Sequence, residues 1–381
     1  MNSGLKIGVD ATYLTRDTRG MGRCVRAILH EWEENPERFI LLALSRRHLA
    51  SLKEYAQRGW QTCLYNQAPD LSVCWFPWNR IDWDPECPRV ALIHDVAPFT
   101  HFHPQTRHRE DDQARMAEAV RHADAVMTVS NFSRAEIHHY LSYPIEEMEV
   151  VYWAPDRQLF SPSALVRKDL LPEALHDKPF LLYVGTLEPR KNLRGLLEAM
   201  SLMEKQIPHQ LALLCPRPTT PWTDKIWGKT HALQEICDAL ESRLVWLDPM
   251  DDAHLVELYR RTDLFVMPSL YEGFGLPLLE ALACGTKVAA ARAASLPEVG
   301  GALPFWFNPK DSVDIAKVIM DALEKPNRTS EEIEQHLQHF SWNQTADEVL
   351  HFLEEVGQRP RRSNSGVFPS LPAHLQIPEE I

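Results

Sequence analysis

Two glutamates, Glu272 and Glu280, have seven residues between them in the stretch PSLYEGFGLPLLEALACGTKV, 268–288. A carboxylate has two acceptor oxygens, which suits paired hydroxyls such as those of a sugar or a ribose. Gly273 and Gly275 are free to take positive φ in the turn between the acids. Pro277 fits the first turn of a helix, and Gly285 suits its end. The turn Gly273-Phe274-Gly275-Leu276 then presents backbone N–H groups at a helix start, chiefly around Gly275 and Leu276, where a phosphate would bind. Glu280 lies about one turn inside that helix and Glu272 on the turn before it. The stretch reads as a holder for a sugar, a diphosphate and a nucleoside. Acids near a helix's positive end are also favourable on electrostatic grounds alone, so the pair by itself leaves that plainer reading open.

A second constellation lies in LLYVGTLEPRKNLRGLLEAM, 181–200. A strand ends at Gly185, a loop carries Arg190 and Lys191, and Asn192 is placed to cap a helix. Adjacent cations suit a diphosphate, with Arg binding two oxygens and Lys adding a point charge. A solvated basic loop is the alternative. In RVALIHDVAPFTHFHP, 89–104, His94 and Asp95 fall at a strand's carboxyl end, where open α/β sheets bind ligands. His94 could contact a sugar hydroxyl. His101 and His103, like His138 and His139, have no accompanying ligand set and read as loop and helix histidines. Asp82 and Asp84 have the D-x-D spacing of a metal–diphosphate site, but sit in a proline-bounded loop and read as a surface turn.

The elements that must position these residues are written as short apolar runs alternating with helical patterns. Six runs lie in 5–11, 38–45, 72–78, 89–95, 124–130 and 148–153, and five in 179–186, 209–215, 243–248, 263–269 and 286–291. Continuous apolar runs indicate strands buried on both faces, as in parallel sheets. Two series predict an α/β protein with two Rossmann-like, doubly wound lobes, 1–168 and 175–340. The segment 358–381 is rich in Pro, Ser and Arg and is expected to be disordered. The chain has 381 residues and a net charge of −13, which argues against general nucleic-acid binding. Seven scattered cysteines without a CxxC pair predict reduced thiols. No apolar run is long enough to span a membrane, and the start lacks a signal-peptide pattern, so a cytoplasmic protein is expected.

The E-x7-E string resembles the signature of retaining GT-B glycosyltransferases of group 1, or family 4, and 181–200 resembles that family's phosphate loop. The resemblance covers most of 5–356 and is most specific in the second lobe. It implies that Glu272 contacts the transferred sugar, Glu280 the ribose, and Arg190 and Lys191 the leaving diphosphate. It makes His94 an active-site residue and brings Gly20 and Gly22 of DTRGMGRCVRAILHEW near the donor phosphates. Ser130 would line the cleft. Many relatives carry Arg after the strand glycine, where this chain has Thr186, which puts a third phosphate-facing cation in doubt. The helix in 341–357 would cross back to the first lobe. The implied activity is metal-independent, retaining transfer of a hexose, with no cofactor beyond the nucleotide sugar. Mannose from GDP-mannose is favoured, and the acceptor is a saccharide or lipid-linked saccharide of polysaccharide biosynthesis. Arg16, Arg19, Arg23, Arg26, Arg46 and Arg47 could meet anionic lipid at the inner membrane face, against the alternative of a solvated helix face. A GT-B-fold nucleotide-sugar epimerase and a catalytically silent scaffold are the competing readings.

Overall fold

The computed structural model describes residues 4–17, 20–100, 107–163, 165, 167–217 and 231–361. These form two compact units. One comprises the chain up to Phe99, Glu110–Trp153 and the part from Ser341 onward; the other is Thr100–Arg109 with Ala154–Phe340.

The first unit is built on a seven-stranded sheet of β1 (Ile7–Asp10), β2 (Phe39–Ala43), β3 (Gln61–Leu64), β4 (Val73–Phe76), β5 (Arg89–Ile93), β6 (Ala125–Thr128) and β7 (Met148–Val150). All neighbours are parallel, in the order β3-β2-β1-β4-β5-β6-β7. The strands β1, β2, β4 and β5 are wholly buried, which is why their sequences are apolar rather than alternating, apart from Asp10 at the end of β1 and Arg89 at the start of β5. Order reverses between β1 and β4, whose carboxyl ends therefore flank a topological switch point.

The helix Trp342–Gly357 belongs to this unit. Trp32 stacks on Phe39 at 4.4 Å between ring centroids, and its indole N–H donates to the Ala346 carbonyl at 3.2 Å. Thr345 Oγ1 donates to the Tyr152 carbonyl at 2.6 Å, and Trp342 packs on Trp153. The last long helix is thus fastened to the first sheet.

The second unit holds β8 (Phe180–Val184), β9 (Gln210–Leu214), β10 (Leu244–Leu247), β11 (Leu264–Met267), β12 (Val288–Ala291) and β13 (Phe305–Phe307). They form a parallel sheet in the order β10-β9-β8-β11-β12-β13, with its switch point between β8 and β11. The α/β class with two doubly wound parallel sheets is the one expected. β3 and β13 are absent from the apolar runs. Both are edge strands, three or four residues long and incompletely buried, so burial did not impose a continuous apolar run on them. All seven cysteines are free. Among the described residues no helix is long and apolar enough to cross a membrane.

Candidate functional site

At the switch point of the second unit, the segments leaving β8 and β11 are stitched together. After β8, Tyr183 OH donates to the Thr186 carbonyl at 2.8 Å, and Pro189–Lys191 form a single 3₁₀ turn. Asn192 follows at φ 53°, a left-handed conformation that asparagine tolerates. It caps the helix Leu193–Met203 as expected, its Oδ1 accepting from Gly195 N. Its amide also donates to the carbonyls of Pro268 (3.0 Å) and Pro309 (2.8 Å). Leu270 N donates to the Arg190 carbonyl at 2.7 Å. These bonds fix the Arg190–Lys191 turn against the strand end that carries Glu272.

The result is a compact charge cluster. Lys191 Nζ lies 2.6 and 2.9 Å from the two Glu272 oxygens, and Arg190 donates to Oε2 at 3.3 Å. Ser269 Oγ donates to Oε1 at 2.7 Å. Arg190 is also held by Glu188, Nε to Oε2 at 2.6 Å, and Thr186 Oγ1 donates to the other Glu188 oxygen at 3.0 Å. Glu272 is 6% exposed. Burial, the largest influence, pushes its carboxyl up, but Lys191, Arg190 and the Ser269 hydroxyl outweigh it and hold the carboxyl below its ordinary value. Burial likewise raises Glu188, and Arg190 with Thr186 more than reverses it. Glu272 is therefore an anion bound where a diphosphate was expected.

Beside this cluster begins the helix Leu276–Ala283. Of the two turn glycines only Gly275 has positive φ, 109°. A Cβ there would also meet Leu296 Cδ2 at 2.6 Å, so any other residue would be strained and Leu296 would have to shift. Pro277 occupies the first turn, and among the described residues no side chain caps the helix, so the Gly275 and Leu276 N–H groups at its start suit an anion. The Ser295 hydroxyl lies 2.9 Å from the Glu272 carbonyl and 2.7 Å from that of Phe274, fixing the turn. Glu280 is 4% exposed, on the helix, with Tyr259 OH 3.5 Å from its Oε2. The structure thus brings Glu272, Arg190, Lys191, Thr186, Gly185, Phe274, Gly275, Leu276 and Glu280 to one switch point. Glu188, Ser269, Ser295 and Tyr259 complete it, and no spacing in the sequence announced them.

In the first unit His94 follows β5 and is buried. Its ring Nε2 lies 3.0 Å from the Pro77 carbonyl, which can only accept, so Nε2 carries the proton and Nδ1 is an acceptor. Burial lowers its pKa, with the Pro77 bond partly offsetting it, so the ring is neutral. Asp95 Oδ1 accepts from Ala97 N at 2.9 Å. Ser130 is fully buried as the cap of helix Asn131–Leu141, accepting from Ser133 N, and the Ser133 hydroxyl donates to the His94 carbonyl. Gly20 has φ 48°. At Gly22 a Cβ would sit 1.9 Å from the Asp17 carbonyl oxygen, a packing reason for glycine there.

Asp82 and Asp84 turn to different partners. Asp82 pairs with Arg80 and Tyr13, and Asp84 with Arg89 and Arg361. Among the described residues no group of three or more His, Cys, Asp or Glu is gathered as for a metal. Arg26 has a structural role: its guanidinium donates to the carbonyls of Leu14 (2.7 Å) and Asp17 (2.6 Å), and so clamps the loop after β1. Arg19, His101, His103 and the tail beyond 361 lie outside the described residues.

Residues 172–339 match the family model described as "Glycosyl transferases group 1". That span contains every second-unit residue of the site. The chain is 34% identical over 241 residues to O-antigen chain mannosyltransferase B of Escherichia coli, covering 62% of this chain and 61% of that one. It is 28% identical over 324 residues to the serotype-specific mannosyltransferase WbdA of Escherichia coli, covering 80% of this chain and 38% of that one. The chain thus spans about three-fifths and two-fifths of these relatives' lengths. The fold superposes with a TM-score of 0.67 on Anabaena HepE, solved with UDP and glucose, at 17% identity over 92% of this chain and 99% of that one. At that identity the likeness is one of fold.

Proposed function

We propose that the chain is a metal-independent, retaining hexosyltransferase that takes its sugar from a nucleoside diphosphate sugar, with GDP-mannose favoured, and passes it to a saccharide or lipid-linked saccharide acceptor in polysaccharide assembly. One observation carries the reading. Two cations, an uncapped helix start and two buried carboxylates converge at a sheet switch point within a span that matches glycosyl transferases of group 1.

In this reading the diphosphate displaces the Glu272 carboxylate from Lys191 and Arg190 and lies along the Gly275 and Leu276 N–H groups, near Gly185 and Thr186. Charge that develops on the leaving diphosphate meets groups already in place, which is the main way such sites lower a barrier; one donor of this kind is worth roughly 3 kcal/mol. The cations supply that charge without a metal. Glu272, released from Lys191, accepts from hydroxyls of the hexose, and Glu280 accepts from the ribose. In the first unit, neutral His94, with Nδ1 as acceptor and Asp95 beside it, is fitted to receive a sugar hydroxyl. The mannosyltransferase relatives favour mannose.

The test is a thermal-shift panel of GDP, UDP and dTDP, followed by transfer from the matching hexose donor to mannose oligosaccharides with EDTA present. Stabilisation by one nucleotide and an α-linked product support the proposal. No stabilisation by any nucleotide, or activity abolished by EDTA, refutes it.

A further inference from the structure

Glu280 lies on the helix Leu276–Ala283, and one residue of the neighbouring helix Asp252–Arg261 holds that helix at two levels. This residue is Tyr259, which is fully buried. Its backbone carbonyl accepts from Thr286 Oγ1 at 2.6 Å, just past the end of Leu276–Ala283. Its hydroxyl reaches back into the helix and lies 3.5 Å from Glu280 Oε2. The ring packs edge-on against Phe265, at 5.3 Å between centroids, and against Phe160, at 6.1 Å. The segment that supplies Phe160 is tied to the same helix, because Arg260 donates to the Ser161 carbonyl at 2.7 Å. Ring contacts and a backbone bond thus fix where the Tyr259 oxygen sits, and a buried tyrosine hydroxyl needs a polar partner there.

We propose that Tyr259 is a positioning residue, whose hydroxyl holds the Glu280 carboxylate in the orientation that receives the ribose hydroxyls of the donor. The proposal rests on the reading of Glu280 as the ribose carboxylate. Glutamate has a long side chain, and freezing it when a ligand binds costs affinity. A hydrogen-bond donor on a rigid ring removes part of that cost beforehand, because the ring cannot follow the carboxylate if it turns. One bond to Oε2 leaves acceptor capacity on both oxygens, enough for a vicinal diol. At 3.5 Å the bond is at the long end for its kind, so it steers the carboxylate without saturating it, and the effect is several-fold rather than a hundredfold. Tyr259 acts through Glu280, whereas the diphosphate is bound at the other end of the helix, at Gly275 and Leu276. The influence of the hydroxyl is therefore confined to the ribose.

The test is calorimetric titration of the full chain with GDP, UDP, the 2′,3′-dideoxy form of each, and pyrophosphate. It compares the wild type, Tyr259→Phe, Glu280→Ala and the double variant. Phenylalanine keeps the ring against Phe160 and Phe265 and removes only the oxygen; urea midpoints of the same samples check folding. Tyr259→Phe is expected to bind the ribonucleotide about three- to tenfold more weakly, the size of one lost hydrogen bond. It should bind the dideoxy form and pyrophosphate as the wild type does, and should add no loss to that of Glu280→Ala. A purely structural role would weaken every ligand alike. Equal losses for the ribo- and dideoxy forms, no loss at all, or the same loss in the Glu280→Ala background would overturn the proposal and leave the ribose reading standing. If Glu280→Ala itself fails to discriminate the ribonucleotide from its dideoxy form, or the wild type binds neither nucleotide, the ribose reading falls and this proposal with it.

Discussion

Replacing Glu272 by Gln should tighten the binding of a free nucleoside diphosphate, although Glu272 lies at the centre of the site. In the ligand-free protein this carboxylate neutralises Lys191 and Arg190 at 2.6–3.3 Å. A diphosphate on the same cations would lie roughly 6 Å from it, and two unit charges at that distance repel by about 3 kcal/mol at an effective dielectric of about 20. Lys191 and Arg190 keep 15% and 17% of their side-chain exposure, so solvent and salt reduce this. A gain of ~1–2 kcal/mol remains, or about 5–30-fold in Kd. Gln preserves an acceptor for the Ser269 hydroxyl, and Glu188 still holds Arg190, so the loop stays in place. The assay is calorimetric titration with GDP and UDP at 0.15 M salt, since neither ligand carries the hexose that Glu272 would hold. Turnover with the intact donor should fall, because the hexose loses its acceptor. Unchanged or weaker nucleotide binding in Glu272→Gln would refute the claim that this carboxylate and the diphosphate compete for the same cations.

Lys191→Met should destabilise the fold by ~2–3 kcal/mol in urea denaturation, less than for a fully buried pair, because Glu272 keeps Arg190 and Ser269. An unchanged midpoint would mean that the pair contributes nothing. Glu280→Ala should weaken GDP or UDP binding by tenfold or more, while leaving inorganic pyrophosphate unaffected. Equal losses for both ligands would deny Glu280 a place at the ribose. Gly275→Ala should cost about 2 kcal/mol in the same denaturation experiment, from the positive φ together with the 2.6 Å approach to Leu296, and should weaken nucleotide binding as well. Asp10 titrates higher in the fold, at about 7 against 3.8, so the native state holds the extra proton. Its contribution to stability is full below pH 4 and is lost as pH rises to 7, by up to about 4 kcal/mol. Glu272 and Glu188, held low, act in the opposite sense, their contribution fading as pH falls below their ordinary range. Asp10→Asn should remove the loss between pH 4 and 7 and leave the acid limb in place, as followed by unfolding midpoints across pH.

The α/β class was written in the sequence because strands buried on both faces are apolar at nearly every position, which makes β1, β4, β5, β8 and β11 visible as runs. The helix start at Gly275-Leu276-Pro277 was legible for an equally local reason, since φ and the missing N–H of proline are properties of the residues themselves. The Arg190–Lys191 pair and both glutamates could likewise be read from residue type and spacing. Strand order alone decided that Lys191 meets a carboxylate 81 residues away, because β8 pairs with β11 although β9 and β10 intervene in the chain. The same pairing brought in Ser269 and joined Asn192 to Pro268. Arg26 looked like any surface arginine until the loop after β1 folded its carbonyls onto it. Asp10 carried no motif; it became distinctive only when β2 and β4 closed over it and removed water from an oxygen that nothing else in the chain satisfies among the described residues. Residue type fixes what a group can do, but its partners and its dielectric surroundings come from segments distant in sequence, and these exist only once the sheets have formed.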